Sequence, residues 1–126
     1  MIIGIGTDIF EVARMKNRIN KEPTFVQSVF TNHEISYCEK FKFKEQNYAA
    51  RFAAKEALMK ALGTGWNGGI SFKEINITNN SLGKPEIELQ GKTHELAQKL
   101  GVTNIYVSLS HCKQFANAFI ILSSNK

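Results

Sequence analysis

Apolar and polar positions alternate from the first residues of the chain, which predicts an opening strand over Ile2–Ile9. Ile3, Ile5, Thr7 and Ile9 share one face of it, and Gly4, Gly6 and Asp8 share the other. The spacing then turns helical over Val12–Asn20, with Val12, Met15 and Ile19 as the apolar stripe, and Pro23 separates that helix from the next element. Thr31-Asn32-His33-Glu34 has the form of a capping box and starts a second helix that runs to about Phe41. The longest predicted helix spans about Glu45 to Leu62, with Gly63 as its stop. Alternation returns over Phe72–Thr78 and Glu86–Gln90, with a turn at Gly83 between them. A short helix over Lys92–Leu100 ends at Gly101, and Asn104–Ser110 and Phe115–Leu122 read as two final strands. A first strand, a helical stretch and then a mostly antiparallel sheet make an α+β chain, not a doubly wound α/β fold.

The length of 126 residues suits one domain, and the 43% hydrophobic content is enough for a real core. No segment approaches the ~20 apolar residues that span a bilayer, so no membrane association is expected. The first eight residues lack a basic region and reach Asp8 at once, which makes a poor signal peptide and favours a cytoplasmic location. Cys38 and Cys112 form no metal-ligand pattern and are expected to be reduced thiols. The net charge of +5 narrows the partners to nucleic acid, a phosphorylated ligand or an acidic protein.

Candidate chemistry lies where the pattern is broken. Glu56 and Lys60 stand one turn apart on a helix that is otherwise largely apolar or alanine. They read either as an exposed ion pair or as a functional pair on a buried helix. Asp8 closes an apolar strand on its glycine side, either as a cap for the next helix or as a ligand-facing carboxylate. If Asp8 and Glu56 meet in space, a cation must separate them, and Mg²⁺ held by two carboxylates, phosphate oxygens and water fits. Ser108 and Ser110 share a strand face that ends at His111, but no acid is placed to orient the His and no Gly-x-Ser-x-Gly is present. A phosphate contact is therefore the functional option for His111, and a surface or cap role the plain one. The glycine-rich stretch from Gly63 follows a helix instead of leading into one, so it is no P-loop. Lys60 offsets the negative helix end there and reaches toward a phosphate beside the loop. Arg14, Arg18 and Lys21 fall along one helical face, with Lys16 nearby in sequence. They form a solvated face or a dock for an acidic partner. No zinc-finger spacing or RNP-like motif supports nucleic acid, yet a small basic nucleic-acid-binding module without catalysis is the alternative class.

Taken together, four blocks resemble the holo-acyl-carrier-protein synthases, the short single-domain class of 4′-phosphopantetheinyl transferases. They are Gly6-Thr7-Asp8-Ile9 with Arg14; Phe52 to Ala57 with Lys60 through Gly65; Gly83-Lys84-Pro85; and Ser108-Leu109-Ser110-His111 with Ala116 and Ala118. Cys112, Lys113 and Phe115 depart from the pattern, where a polar or acidic residue and a Tyr are common. The resemblance implies transfer of 4′-phosphopantetheine from coenzyme A to a serine of apo-acyl carrier protein, in fatty acid biosynthesis. It also implies a homotrimer with active sites at the subunit interfaces. Asp8 and Glu56 would hold Mg²⁺ against the coenzyme A pyrophosphate, and Glu56 and Lys60 would serve catalysis. Lys60, Gly63, Thr64, Gly65 and His111 would contact the nucleotide and its phosphates. Arg14 would meet an acidic helix of the carrier, with Arg18 and Lys21 extending that surface on their spacing. A carrier domain of a peptide or polyketide synthase is the competing partner.

Overall fold

The structure is a computed structural model, and it describes residues 1–63 and 70–125. Strand β1 (Ile2–Glu11) leads into helix α1 (Val12–Lys21), a five-residue helix α2 (Phe25–Val29), α3 (Asn32–Cys38) and the long α4 (Lys44–Leu62). A 3₁₀ turn (Phe72–Glu74) precedes the hairpin of β2 (Ile75–Asn79) and β3 (Pro85–Leu89). Helix α5 (Gly91–Lys99) and the antiparallel pair β4 (Asn104–His111) and β5 (Phe115–Ser123) complete the chain. The strands form a three-stranded sheet in the order β1-β5-β4 and a separate two-stranded sheet β2-β3, all antiparallel. This is the expected α+β arrangement. Among the described residues no helix is long and apolar enough to cross a membrane.

Helix α4 lies across the inner face of the three-stranded sheet, and small side chains set how closely. Ala53, Ala54, Ala57 and Ala61 are buried along it, against Ala116, Ala118, Ile120 and Leu122 of β5. The glycines of β1 take the approach to its limit. A Cβ at Gly6 would run into the Ala57 carbonyl oxygen and lie 3.0 Å from Ala61 N, and one at Gly4 would meet the Ala61 carbonyl oxygen. The glycine face of β1 is therefore the packed one. Its isoleucine face points away from the helix, with Ile5 and Ile9 63% and 64% exposed.

Inside, α4 is clamped by a buried ion pair. Lys55 Nζ lies 2.8 Å from Glu34 Oε1, both side chains wholly buried. Its other hydrogens go to the carbonyls of Phe72 (2.8 Å) and Ile75 (2.6 Å). Glu34 in turn accepts from the backbone N–H of Thr31 and of Ile77, each at 2.8 Å. The predicted capping box at Thr31 is thus present, and its glutamate also ties α3 to α4 and β2. Every polar hydrogen of the ammonium is used, which is what makes a charge tolerable there.

One expected element needs correction. Phe72–Glu74 is a 3₁₀ turn, so the predicted strand starts only at Ile75. Ser71-Phe72-Lys73-Glu74 is a second capping box, and it wins locally over alternation. The short helix α2 lacked a pattern long enough to read. Lys16, near Arg14 in sequence, borders a cavity with Val12, Ala13 and Phe43.

Lys55→Met leaves Glu34 buried and unpaired, and is predicted to cost about 3–5 kcal/mol in chemical denaturation. Lys44→Met, which breaks the exposed pair with Glu39, should cost under about 1 kcal/mol. Equal losses would show that burial does not separate the two pairs.

Candidate active site

The close packing of β1 on α4 brings two predicted site residues together. Asp8 is a mid-strand residue, paired in register with Ala118. It caps no helix, because the N-cap of α1 is Glu11. Its Oδ1 lies 2.9 Å from Lys60 Nζ, and the same ammonium donates to the Thr7 carbonyl at 3.0 Å. Lys60 thus turns to Asp8, and Glu56, one turn away on α4, forms no ion pair among the described residues. Glu56 is half-buried, and its carboxyl is pushed above the ordinary glutamate range. Burial is the main cause and the Asp8 charge the second, with Lys60 opposing. The electrostatic coupling puts Glu56 in the field of Asp8 and Lys60: two carboxylates and one ammonium at the β1 side of α4.

Gly63 ends α4 in the left-handed conformation (φ 80°), its N–H bonded to the Met59 and Lys60 carbonyls. That is the predicted stop. Thr64 and Gly65, also expected to line the nucleotide site, lie outside the described residues. Among the described residues no three His, Cys, Asp or Glu side chains gather to hold a metal. A two-carboxylate donor set with open positions is the kind that holds Mg²⁺ jointly with phosphate and water.

His111 does not join this group. It ends β4, exposed, with Nδ1 3.0 Å from the Gln46 carboxamide oxygen at the start of α4. It borders a cavity of about 330 Å³ with Arg51, Asn79, Lys84, Pro85 and Ser108. Arg51 is 3% exposed and lies 3.9 Å from the Tyr37 ring centroid. Its Nη2 donates to Asn79 Oδ1 at 2.7 Å, while Nε is buried without a partner among the described residues. Arg51, Lys84 and His111 thus bring three basic side chains to the border of one cavity. Arg51 and Lys84 were not among the sequence candidates. The available signal was an arginine inside the most apolar helix, where a charge needs a reason.

The two clusters are held apart by the fold. Asp8 and Leu109 flank Ala118 on the two outer strands, so the strand edges stand about 10 Å apart, with α4 packed over the middle. Around the helix, Arg51 and Glu56 point roughly 140° apart. Arg14, Arg18 and Lys21 lie on α1, beyond both clusters. Arg14 stacks on Phe10 (4.9 Å) and Arg18 on Phe25 (4.1 Å).

A family model described as the 4′-phosphopantetheinyl transferase superfamily matches residues 4–119. The chain belongs to that superfamily. Its sequence is 51% identical over 121 residues to a holo-[acyl-carrier-protein] synthase of Ruminiclostridium cellulolyticum, covering 94% of this chain and 90% of the relative. The fold matches the crystal structure of a holo-[acyl-carrier-protein] synthase from Neisseria meningitidis with a TM-score of 0.88 at 32% identity, over 98% of this chain and 100% of that one. The enzyme of the same name from Bacillus anthracis, solved in complex with CoA (3′,5′-ADP), matches with a TM-score of 0.82 at 34% identity, over 99% of each chain.

With no metal bound, Glu56 holds its proton more tightly in the folded chain than in the unfolded one. Stability is therefore predicted to fall as pH rises from the ordinary glutamate range into the raised one, and then to level off. Glu56→Gln removes that slope in thermal melts. A slope that persists in the variant would take Glu56 out of the coupled cluster.

Proposed function

We propose that this chain is a holo-[acyl-carrier-protein] synthase. It moves 4′-phosphopantetheine from coenzyme A to a serine of apo-acyl carrier protein and releases adenosine 3′,5′-bisphosphate, in fatty acid biosynthesis in the cytoplasm. The observation that carries the reading is the Asp8–Lys60 contact with the half-buried Glu56 behind it, in a chain of this superfamily. A nucleic-acid-binding module would give Asp8 and Glu56 nothing to do.

The serine oxygen attacks the β-phosphorus of coenzyme A, and the bond from that phosphorus to the bridging oxygen of the α-phosphate breaks. Asp8 and Glu56 are the residues to hold Mg²⁺. When bound, the ion supplies Lewis-acid stabilisation of the pyrophosphate charge. Lys60 adds a mobile positive charge on the same phosphates and is free to leave Asp8 as they enter, since its side chain is 56% exposed. The proton of the serine would pass to Glu56 or to a metal-bound water. The adenosine bisphosphate fits the second cluster, where Arg51, Lys84 and His111 line the 330 Å³ cavity. Most of the catalysis is positioning and electrostatics.

The two clusters lie on opposite edges of the sheet with α4 packed between them, which supports a shared site. The outer sheet face supports it independently. Ile5, Ile9, Tyr106 and Phe119 are each at least half exposed there among the described residues. An apolar patch of this kind marks an interface. A head-to-tail contact joining the β1 side of one subunit to the β4 side of the next closes into a ring. Three is the number that the family resemblance implies, so the assembly is a homotrimer with interfacial sites. The flank of α1 with Arg14, Arg18 and Lys21 is the dock for the acidic carrier, where charge speeds encounter.

Three outcomes are expected. Purified protein with apo-acyl carrier protein, coenzyme A and Mg²⁺ should add a phosphopantetheine mass to the carrier by intact-mass spectrometry, and EDTA or Glu56→Gln should abolish it. No gain with any carrier in a folded sample would reject the activity. Phe119→Lys should give a folded, inactive monomer by light scattering; an active monomer would reject the shared site. Arg14→Glu should raise KM for the carrier at least about tenfold while KM for coenzyme A stays put. Equal KM values would leave α1 a solvated face.

A further inference from the structure

One acid sits among the bases on the docking flank of α1. Glu22, the first residue past the helix, brings Oε2 to 3.0 Å from Arg18 Nε. Arg14 and Lys21 have no anionic partner among the described residues. The two arginines are otherwise held alike. Each guanidinium lies over an aromatic ring, Arg14 on Phe10 and Arg18 on Phe25. Both rings are buried, and both pack on Phe52, with centroids 4.9 and 6.2 Å away. One core cluster therefore orients both cations, one helical turn or about 6 Å apart along the axis. A guanidinium stacked in this way keeps its in-plane N–H groups for a carboxylate. Those of Arg14 are open. At Arg18 the Nε edge is taken.

The contact that takes it is weak by construction. Both side chains are substantially exposed, at 38% and 52%, and they are joined by one N–H in an i,i+4 pair. Such pairs exchange readily with solvent or a better acceptor. A carrier carboxylate that takes the Nε edge of Arg18 must displace Glu22, whose charge is then left against an acidic surface.

We propose that Glu22 is an internal competitor for the carrier at Arg18, so that the Arg18–Glu22 pair sets how tightly an acidic carrier docks. The proposal rests on the carrier reading of this flank. The competition lowers affinity for partners that draw on Arg18 and leaves untouched a partner that meets Arg14 alone.

The test is the binding of a fluorescently labelled apo-acyl carrier protein, by anisotropy at fixed salt, to the wild type, Glu22→Gln, Arg18→Met and the double variant. Glu22→Gln is expected to bind about threefold more tightly, and Arg18→Met more weakly. In the Arg18→Met background the Glu22 change should have no effect, because its target is gone. The proposal is overturned if Glu22→Gln binds no more tightly than the wild type. It is equally overturned if the gain persists without Arg18, which would make Glu22 a distant charge only. Either result, alongside a wild type that still transfers phosphopantetheine, leaves the proposed function standing. A carrier that binds none of the four proteins overturns both.

Discussion

The closeness of α4 to β1 is the constraint on which the rest depends. Gly4 and Gly6 carry no Cβ where the Ala57 and Ala61 carbonyls pass, so helix and strand touch backbone to backbone. That distance lets Lys60 reach both Thr7 and Asp8 from the helix. A β-carbon on either glycine would lift α4 and pull the cluster apart, even though neither glycine touches a ligand. The buried Glu34–Lys55 pair holds the helix from its other side. Lys55 and Glu56 are neighbours in sequence, and their ammonium and carboxylate point to different parts of the molecule. One is locked into the core, and the other is left with its charge under tension.

Placing a helix between two half-sites has a consequence for assembly. Asp8, Glu56 and Lys60 occupy the β1 side, and Arg51, Lys84 and His111 the β4 side. The sheet face turned away from α4 is apolar and exposed among the described residues. The proposed ring, in which each interface completes a site, gives both features a role.

Much of the fold was legible in the sequence because its local signals agree. The Thr31 capping box, the Gly63 stop and the antiparallel strand pairs all stand where the pattern put them. The failures occur where two signals compete. Over residues 72–74 alternation argued for strand, while Ser71 and Glu74 supplied a cap, and the cap prevailed. Of the site, Asp8, Glu56 and Lys60 were legible as candidates, because a carboxylate at the glycine face and charges on a buried helix ask for partners, but the pairing was not: Lys60 bonds Asp8 and not Glu56. The separation of His111 from them was not, since spacing along a chain carries no information about opposite edges of a sheet. Arg51 was hidden by its setting in an apolar run.

The claim that two half-sites meet only across subunits can be tested by mixing two inactive proteins. Asp8→Asn disables the β1 half, and Lys84→Ala with His111→Ala disables the β4 half, all at positions outside the core. After subunit exchange, an equal mixture should regain roughly a quarter of wild-type phosphopantetheine transfer, because one interface in four pairs two intact halves. A mixture that forms mixed oligomers by native mass spectrometry, yet stays as inactive as its components, would contradict the shared site.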